Sequence, residues 1–440
     1  MISVCRSSGY KTLYFIHSEA VLRFTQFIYC AILLLCNNCA AMNVRVGPPV
    51  TGDNFYPRPV LIARILRALE QSHVAFLGPR RTGKTSCLEE ILVNPPTGYV
   101  PILLNLEKHD SVIGWLGEMV AAVRAALDKP GPKAPWLVQQ GGKFLKRVEG
   151  IQILGNGLKL SASAEKPQAW RPLADEFLSL LKESNAPFLF LLDEFPAFLT
   201  LVARKSSREE VEAVLNWFRA ARHELKDHAP RFLVTGSIGL KGVVRRLGLS
   251  PSINDFDTRE IPPLEESEAL DLLERLARDN RVPLDAKGRR HILRLLGANW
   301  PILLQLFISE VQDADFNKPP SKIALDRLYR EHIVASNRNE YCNCMFARLK
   351  QAFSESECRL AREILKTICR SDHGFTREEF EALHARLVPD ASHRLLVAEE
   401  LDYVLDALKH DGYLLQETCG EQRTRFASNI LRDYWLRKTS

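Results

Sequence analysis

The sequence predicts an α/β fold, a parallel sheet flanked by helices, and three observations carry the prediction. Residues 72–77 form a short apolar run, residues 78–85 a glycine-bearing loop, and residues 86–92 continue with amphipathic helical spacing, which gives the order strand, loop, helix. A second run, 186–192, is apolar throughout and ends in Asp193-Glu194, as suits a strand buried on both faces of a sheet. A third, 231–237, ends in hydroxyl residues after a polar helix around 209–225.

The loop reads Gly78-Pro79-Arg80-Arg81-Thr82-Gly83-Lys84-Thr85, a complete GxxxxGK[ST] phosphate-binding pattern. Its glycines permit the bend that turns successive N–H groups inward, and the following helix adds the positive end of its dipole. Residues 78–83 and Ser86 are therefore expected to line the phosphates of a nucleotide, with Lys84 reaching the β/γ end and the Thr85 hydroxyl holding Mg²⁺. Arg80 and Arg81 stay open between phosphate, a partner subunit and solvent.

Asp193 and Glu194 fall at the C-terminal edge of their strand, where open α/β sheets place ligands. Asp193 is expected to bind Mg²⁺, directly or through water, and Glu194 to polarise the attacking water as a general base. On the third strand Thr235 and Ser237 are candidates to hold that water or to touch the γ-phosphate. The same three residues, 235–237, also read as a plain strand-to-loop turn.

On these motifs the chain resembles the AAA+/STAND-type P-loop ATPases, particularly the prokaryotic archaeal-ATPase-like group, over about residues 46–437. Phe55-Tyr56-Pro57-Arg58-Pro59 is similar to the family's aromatic-Gly-Arg-Glu motif, with prolines in place of the glycine and the glutamate. Thr235-Gly236-Ser237-Ile238-Gly239-Leu240 resembles the sensor strand, and Ile261-Pro262-Pro263-Leu264 the start of a helical lid. Gly297-Ala298-Asn299-Trp300-Pro301 is similar to the lid's Gly-x-Pro motif with one residue added. The resemblance implies a parallel-sheet P-loop NTPase core with a helical lid and a C-terminal winged-helix domain. It implies ATP as ligand, with Arg58 and Pro301 near it, and a cation among Arg245, Arg246 and Arg259 facing the γ-phosphate in cis or across subunits. No guanine-reading Asn-Lys-x-Asp motif occurs in the chain.

Composition fits a folded enzyme, with 46% hydrophobic and 25% charged residues and a formal net charge of +6, and 440 residues suggest two or three domains. The expected division is a core over 46–261 with an insertion at about 130–172, a lid over 262–335 and a winged helix over 340–440. In the last unit, 354–370 has helical spacing at Cys358, Ala361, Ile364, Leu365 and Ile368, and Thr376-Arg377-Glu378-Glu379 starts a second helix with a capping box. Residues 401–408 make a third helix, 412–416 and 423–427 a hairpin, and 429–437 a closing helix. Winged helices often bind DNA, yet residues 340–440 carry 15 Lys and Arg against 17 Asp and Glu. The third helix sets Glu399, Glu400, Asp402 and Asp406 against Lys409 alone, which repels phosphate. Contact with a protein, self-association or nucleotide gating is the expectation, with Arg423 and Arg425 on the hairpin as the place for a DNA contact.

Within the insertion, 152–160 alternates around Asn156-Gly157 and predicts a β-hairpin. Ahead of the core, 27–36 is an apolar stretch resembling a signal core or short anchor, too short to span a bilayer comfortably. Met42 directly precedes the region of resemblance, so residues 1–41 read as a mis-called start, a tether or an extension. Four of the ten cysteines (Cys5, Cys30, Cys36, Cys39) sit in that leader, and none has metal-site spacing. Cys87 lies just past the loop at a helix start, a place where a thiol can be reactive. Scattered cysteines and a need for ATP suggest a cytoplasmic home.

The reading is a Mg²⁺-dependent ATPase whose ATP/ADP cycle moves lid and winged helix. The alternative is a nucleotide-switched regulator that binds DNA or protein with little hydrolysis. A small-molecule kinase is disfavoured, since no acceptor pocket is evident in the sequence.

Overall fold

Five strands make the sheet: β1 Val74–Leu77, β2 Val100–Asn105, β3 Phe188–Asp193, β4 Arg231–Gly236 and β5 Asp257–Glu260. All pairs are parallel, in the order β2-β3-β4-β1-β5, so β4 lies between the strand that enters the glycine loop and the strand that ends in Asp193. Parallel neighbours need crossovers, and helices supply them: α1 Pro59–Gln71, α2 Lys84–Val93, α3 Val112–Asp128, α4 Arg171–Ser184, α5 Phe195–Lys205, α6 Arg208–Glu224 and α7 Leu240–Arg246. The computed structural model describes residues 41–128, 146–152, 167–236, 240–335, 339–387, 394–417 and 422–439. Residues 1–40, Ser237 and the hairpin turn at 418–421 lie outside the described residues. So does all of the expected 152–160 hairpin but Gln152, which ends a short helix over 146–152.

Side-chain alternation divides two cores across the sheet. Val74, Phe76, Leu189, Leu191 and Leu233 face Ile65, Leu69, Leu88 and Ile91 of α1 and α2. Ala75, Leu77, Phe188, Phe190, Leu192, Phe232 and Val234 face the other way, against Trp115, Phe177, Phe198 and Phe218 of α3 to α6. Every residue of β3 is buried, as its unbroken apolar run requires. β2 and β5 are not apparent from the sequence for a physical reason. β5, Asp-Thr-Arg-Glu, is a largely exposed edge strand, and β2 contains Pro101 and is only partly buried.

Helices dominate after β5: α8 Glu266–Asp279, α9 Ala286–Leu296, α10 Pro301–Asp313 and α11 Lys322–Leu328, the last running into a π-helical turn at Tyr329–Val334. The starts of α8, α9 and α11 are capped by Glu265 with Glu268, by Asp285 and by Ser321. Then come α12 Glu340–Ala352, α13 Glu355–Ile368, α14 Arg377–Leu387, α15 Arg394–His410, the antiparallel pair β6 Leu414–Gln416 and β7 Thr424–Phe426, and α16 Asn429–Thr439. Thr376 and Glu379 exchange the two hydrogen bonds of a capping box, as their spacing suggests. Phe346, Tyr413 and Phe426 surround Trp435 and join α12, the hairpin and α16. The helix α12 has no counterpart in the sequence reading; it buries Tyr341, Cys342, Met345 and Leu349.

From Met42 onward the described residues belong to one unit, and the Met42 amide donates to Asp279. No described helix is long and apolar enough to cross a membrane.

Candidate functional site

The glycine loop leaves β1 at Leu77 and turns into α2. Gly78 has φ 150°, and a Cβ there would stand 2.4 Å from Cγ2 of Ile261, so only glycine fits. Arg81 and Gly83 follow at φ 62° and 99°, winding the loop around one centre. Thr82 braces it by donating its hydroxyl to the Pro79 carbonyl at 2.8 Å.

Lys84 is buried inside this turn and donates Nζ to the carbonyls of Gly78 (2.8 Å) and Pro79 (2.6 Å). Burial drops its pKa to about 8, against the pull of the Glu194 and Asp193 carboxylates. Such a lysine is a desolvated cation held by neutral oxygens, a group that gains when an anion arrives.

The acidic strand tip meets the loop directly. Thr85 donates its hydroxyl to Asp193 Oδ2 at 2.7 Å, and Asp193 Oδ1 accepts from the Thr235 hydroxyl and from the Glu194 amide at 3.1 Å. Asp193 is 3% exposed and Thr235 fully buried, so both oxygens of the carboxylate are fixed. Register places Asn105 of β2 beside Asp193, and Leu77 beside Gly236, so the strand ends share one rim. A hydroxyl and a carboxylate converging at that rim form an oxygen donor set of the kind that suits a hard divalent cation such as Mg²⁺. Glu89 lies close enough that burial, with the Asp193 charge, raises its carboxyl.

Glu194 takes the left-handed conformation, φ 56° and ψ 38°, at the N-cap of α5. For a residue with a Cβ this costs about 1–2 kcal/mol, strain that the Pro196 in the first helical turn and the Asp193 hydrogen bond hold in place. The backbone kink sets Glu194 at the rim beside Asp193, less buried than its neighbour.

The other expected residues fall in distinct places. Ser86 is buried and its Oγ accepts from the Val50 amide at 3.0 Å, tying the segment before α1 to the loop helix. Arg58 is also buried and donates to the carbonyls of Pro262 (2.8 Å) and Pro263 (3.1 Å). Leu264 in turn exchanges hydrogen bonds with Asn299, two residues before Pro301 at the start of α10. The Arg58 and Pro301 motifs are thus linked through 262–264. Arg245 stacks over Tyr403 of α15 at 4.0 Å, and Arg259 pairs with Asp257 on β5 at 2.6 Å. Ser237 lies outside the described residues. Cys87 corrects an expectation: it is 1% exposed, and burial pushes its thiol up to about 12, so desolvation outweighs the helix start and the thiol is inert. Among the described residues no group of three or more His, Cys, Asp or Glu side chains gathers as a metal site, at this rim or elsewhere.

Of the alternatives the sequence left open, Arg80 is exposed to solvent and Arg81 half-buried, and both also reach a helix of the same chain. Arg80 Nη1 donates to Cys344 Sγ at 3.4 Å and Arg81 pairs with Glu340 at 3.7 Å, both on α12 of the same chain. Gly412, after α15, sits so close that a Cβ there would be 2.5 Å from Pro79. A cleft of about 750 Å³ opens beside this contact, between Arg245 and Arg246 of α7 and Asp402, Asp406 and Asp411.

No protein-family model matches the chain, and no curated protein matches it. Among solved structures it is similar to the Aeropyrum pernix ORC2 protein in ADPNP–ADP complexes, at 13% identity over 86% of this chain and 89% of that one, TM-score 0.45. It is also similar to the Aeropyrum pernix ORC1 protein in complex with DNA, at 13% identity over 89% and 94%, TM-score 0.36. A third is the Thermotoga maritima RuvB Holliday junction branch migration motor, at 15% identity over 85% and 94%, TM-score 0.38.

Proposed function

We propose that this chain is a Mg²⁺-dependent ATPase of the AAA+/STAND kind, acting in the cytoplasm, whose nucleotide state moves its helical lid (262–335) and a winged helix (340–440) against the core (46–261). The observation that carries the reading is the 2.7 Å contact between Thr85 Oγ1 and Asp193 Oδ2, which brings the phosphate-binding turn and the acidic strand tip to one point. Loop amides and Lys84 bind and orient the triphosphate, and Thr235 fixes the Asp193 carboxylate by its hydroxyl. Thr85 and Asp193 would hold Mg²⁺, which when bound would supply charge stabilisation to the phosphate oxygens. Glu194 accepts a proton from water as the water oxygen bonds to the γ-phosphorus; the bond to the bridging oxygen breaks and ADP leaves with that electron pair. Preference for ATP over GTP follows from the family resemblance.

Glu194→Gln tests the general base. Retained ATP binding with turnover lowered by about a hundredfold or more is expected, and unchanged hydrolysis in a phosphate-release assay refutes the assignment.

The contacts of Arg80 and Arg81 with α12 favour a second reading, a nucleotide-switched regulator in which the C-terminal helices read the loop directly. Comparing capture of a partner protein, of a second copy and of duplex DNA with ATP, ADP and no nucleotide separates switch from motor. The charge balance of residues 340–440 favours a protein partner over DNA.

A further inference from the structure

The cleft of about 750 Å³ between α7 and α15 is separate from the nucleotide site. Its floor is Ala75, Leu77 and Phe256, on the side of the sheet turned away from α1 and α2. Among the described residues that line it there is none of 78–85, Asp193 or Glu194. One clamp holds its walls together. Tyr403 of α15 lies under the Arg245 guanidinium at 4.0 Å, and its hydroxyl accepts from Arg246. A Cβ on Gly242 would stand 2.9 Å from that hydroxyl, so the glycine lets the ring seat closely on α7.

Many charges of the two walls are already matched. Arg245 and Arg246 hold Tyr403, Asp402 pairs with Arg377, Asp406 with Lys409 at 3.3 Å and Asp411 with His410 at 3.2 Å. Others are not. Lys241 on α7 and Glu399 on α15 are exposed, and among the described residues neither side chain has a hydrogen-bond or ion-pair partner. His410 Nε2 is buried and has none either. With Nδ1–H given to Asp411, Nε2 of the neutral ring is an acceptor.

Sign and shape together narrow what fits. A polyphosphate in the cleft would meet Glu399, Asp402, Asp406 and Asp411, and a polyamine would meet Lys241, Arg245 and Arg246. A molecule with one charge of each sign, an apolar body and an N–H suits the free cation, the free anion, the floor and the acceptor at once.

We propose that this cleft is a second ligand site, for a short apolar peptide with both ends free: its carboxylate at Lys241, its ammonium at Glu399, its side chains on the floor and an N–H given to His410 Nε2. After His410 come the buried Asp411, whose carboxylate is close enough to act on Lys84, and Gly412 against Pro79. A peptide seated here therefore changes ATP affinity through the phosphate loop, and this consequence alone rests on the ATPase reading above.

The test titrates leucyl-phenylalanine, its N-acetyl form and its amide into the full chain by calorimetry, up to about 10 mM. The free dipeptide is expected to bind with a Kd of about 0.1–1 mM, and each blocked form about fivefold more weakly or worse. In Lys241→Ala the free dipeptide should bind about fivefold more weakly and amidation should make no further difference; in Glu399→Gln the same holds for acetylation. Both positions are exposed, so the variants keep the fold. No binding to the wild type at the highest concentration overturns the proposal. So do affinities within about twofold of wild type in both variants. Mg-ATP is then titrated with and without saturating dipeptide, and a change in affinity of about twofold or more is expected; an unchanged value overturns the link to the loop. A chain that binds the dipeptide and no ATP removes the ATPase reading and leaves the peptide site standing.

Discussion

Arg222 and Lys84 are both buried cations of the α/β core, and the chain treats them in opposite ways. Arg222, 1% exposed, gives Nε and Nη2 to the two oxygens of Asp255 at 2.6 and 2.7 Å and a further hydrogen bond to the Ser252 carbonyl. Its guanidinium lies over Phe256 at 4.0 Å and Phe218 at 4.6 Å. Lys84 has two loop carbonyls instead. A cation completed by a carboxylate and two rings fastens a corner of the fold, whereas one left to neutral oxygens is prepared for an anion that comes from outside.

Removing each cation should therefore break different things. Arg222→Leu strands Asp255 and is expected to cost about 3–5 kcal/mol in urea unfolding, with ATP affinity of the folded fraction kept. Lys84→Ala is expected to change the free chain's stability at pH 7 by less than about 1 kcal/mol while lowering ATP affinity by about a hundredfold, the ~3 kcal/mol of a charge-assisted hydrogen bond. Equal losses of stability in the two variants would erase the distinction.

A neutral group in the same core sharpens it further. His73 Nδ1 accepts from the Phe232 amide at 3.1 Å, its Nε2–H donates to the Arg222 carbonyl at 3.2 Å, and burial lowers its pKa to about 4. The unfolded chain takes up this proton near pH 6.5 and the folded chain only near pH 4. Stability from His73 is thus full above about pH 6.5 and falls by up to about 3 kcal/mol as pH drops to 4. Urea midpoints at pH 7 and pH 4.5 check this, and His73→Gln should show the smaller acid loss.

The pH response of Lys84 has the reverse consequence for ligand. Its pKa is depressed from 10.5 to about 8, so the free folded chain sheds this proton first and the contribution of Lys84 to stability rises between about pH 8 and 10.5. ATP needs the charged form, and affinity should fall by about tenfold per pH unit above 8. Titrations at pH 7 and pH 9 measure this, with Lys84→Ala expected to be flat.

Much of the core and its site was legible because the same residues serve both. An apolar run that must be buried on both faces, ending in Asp193-Glu194, marks strand and ligand edge together, and the spacing of 78–85 marks turn and helix start together. Strand β5 was not legible, since an exposed edge strand needs no apolar residues. Nor was the left-handed backbone at Glu194, which arises from the junction with α5 and not from a residue type that favours it. The partners of Arg80 and Arg81 lie some 260 residues away on α12, a helix with two cysteines in its first turns and no capping pattern that sequence reasoning used. Cys87 shows a local rule overridden, because a helix start lowers a thiol's pKa only where water or charge can reach it.

The most direct test is equilibrium binding of ATP to the wild type and to Asp193→Asn, each with and without Mg²⁺. If the loop and the strand tip grip one Mg-ATP, the wild type gains affinity on adding Mg²⁺, by about tenfold or more, and Asp193→Asn loses that gain while keeping its metal-free affinity. A wild type that retains no ATP, or a Mg²⁺ response that survives the substitution intact, contradicts the account.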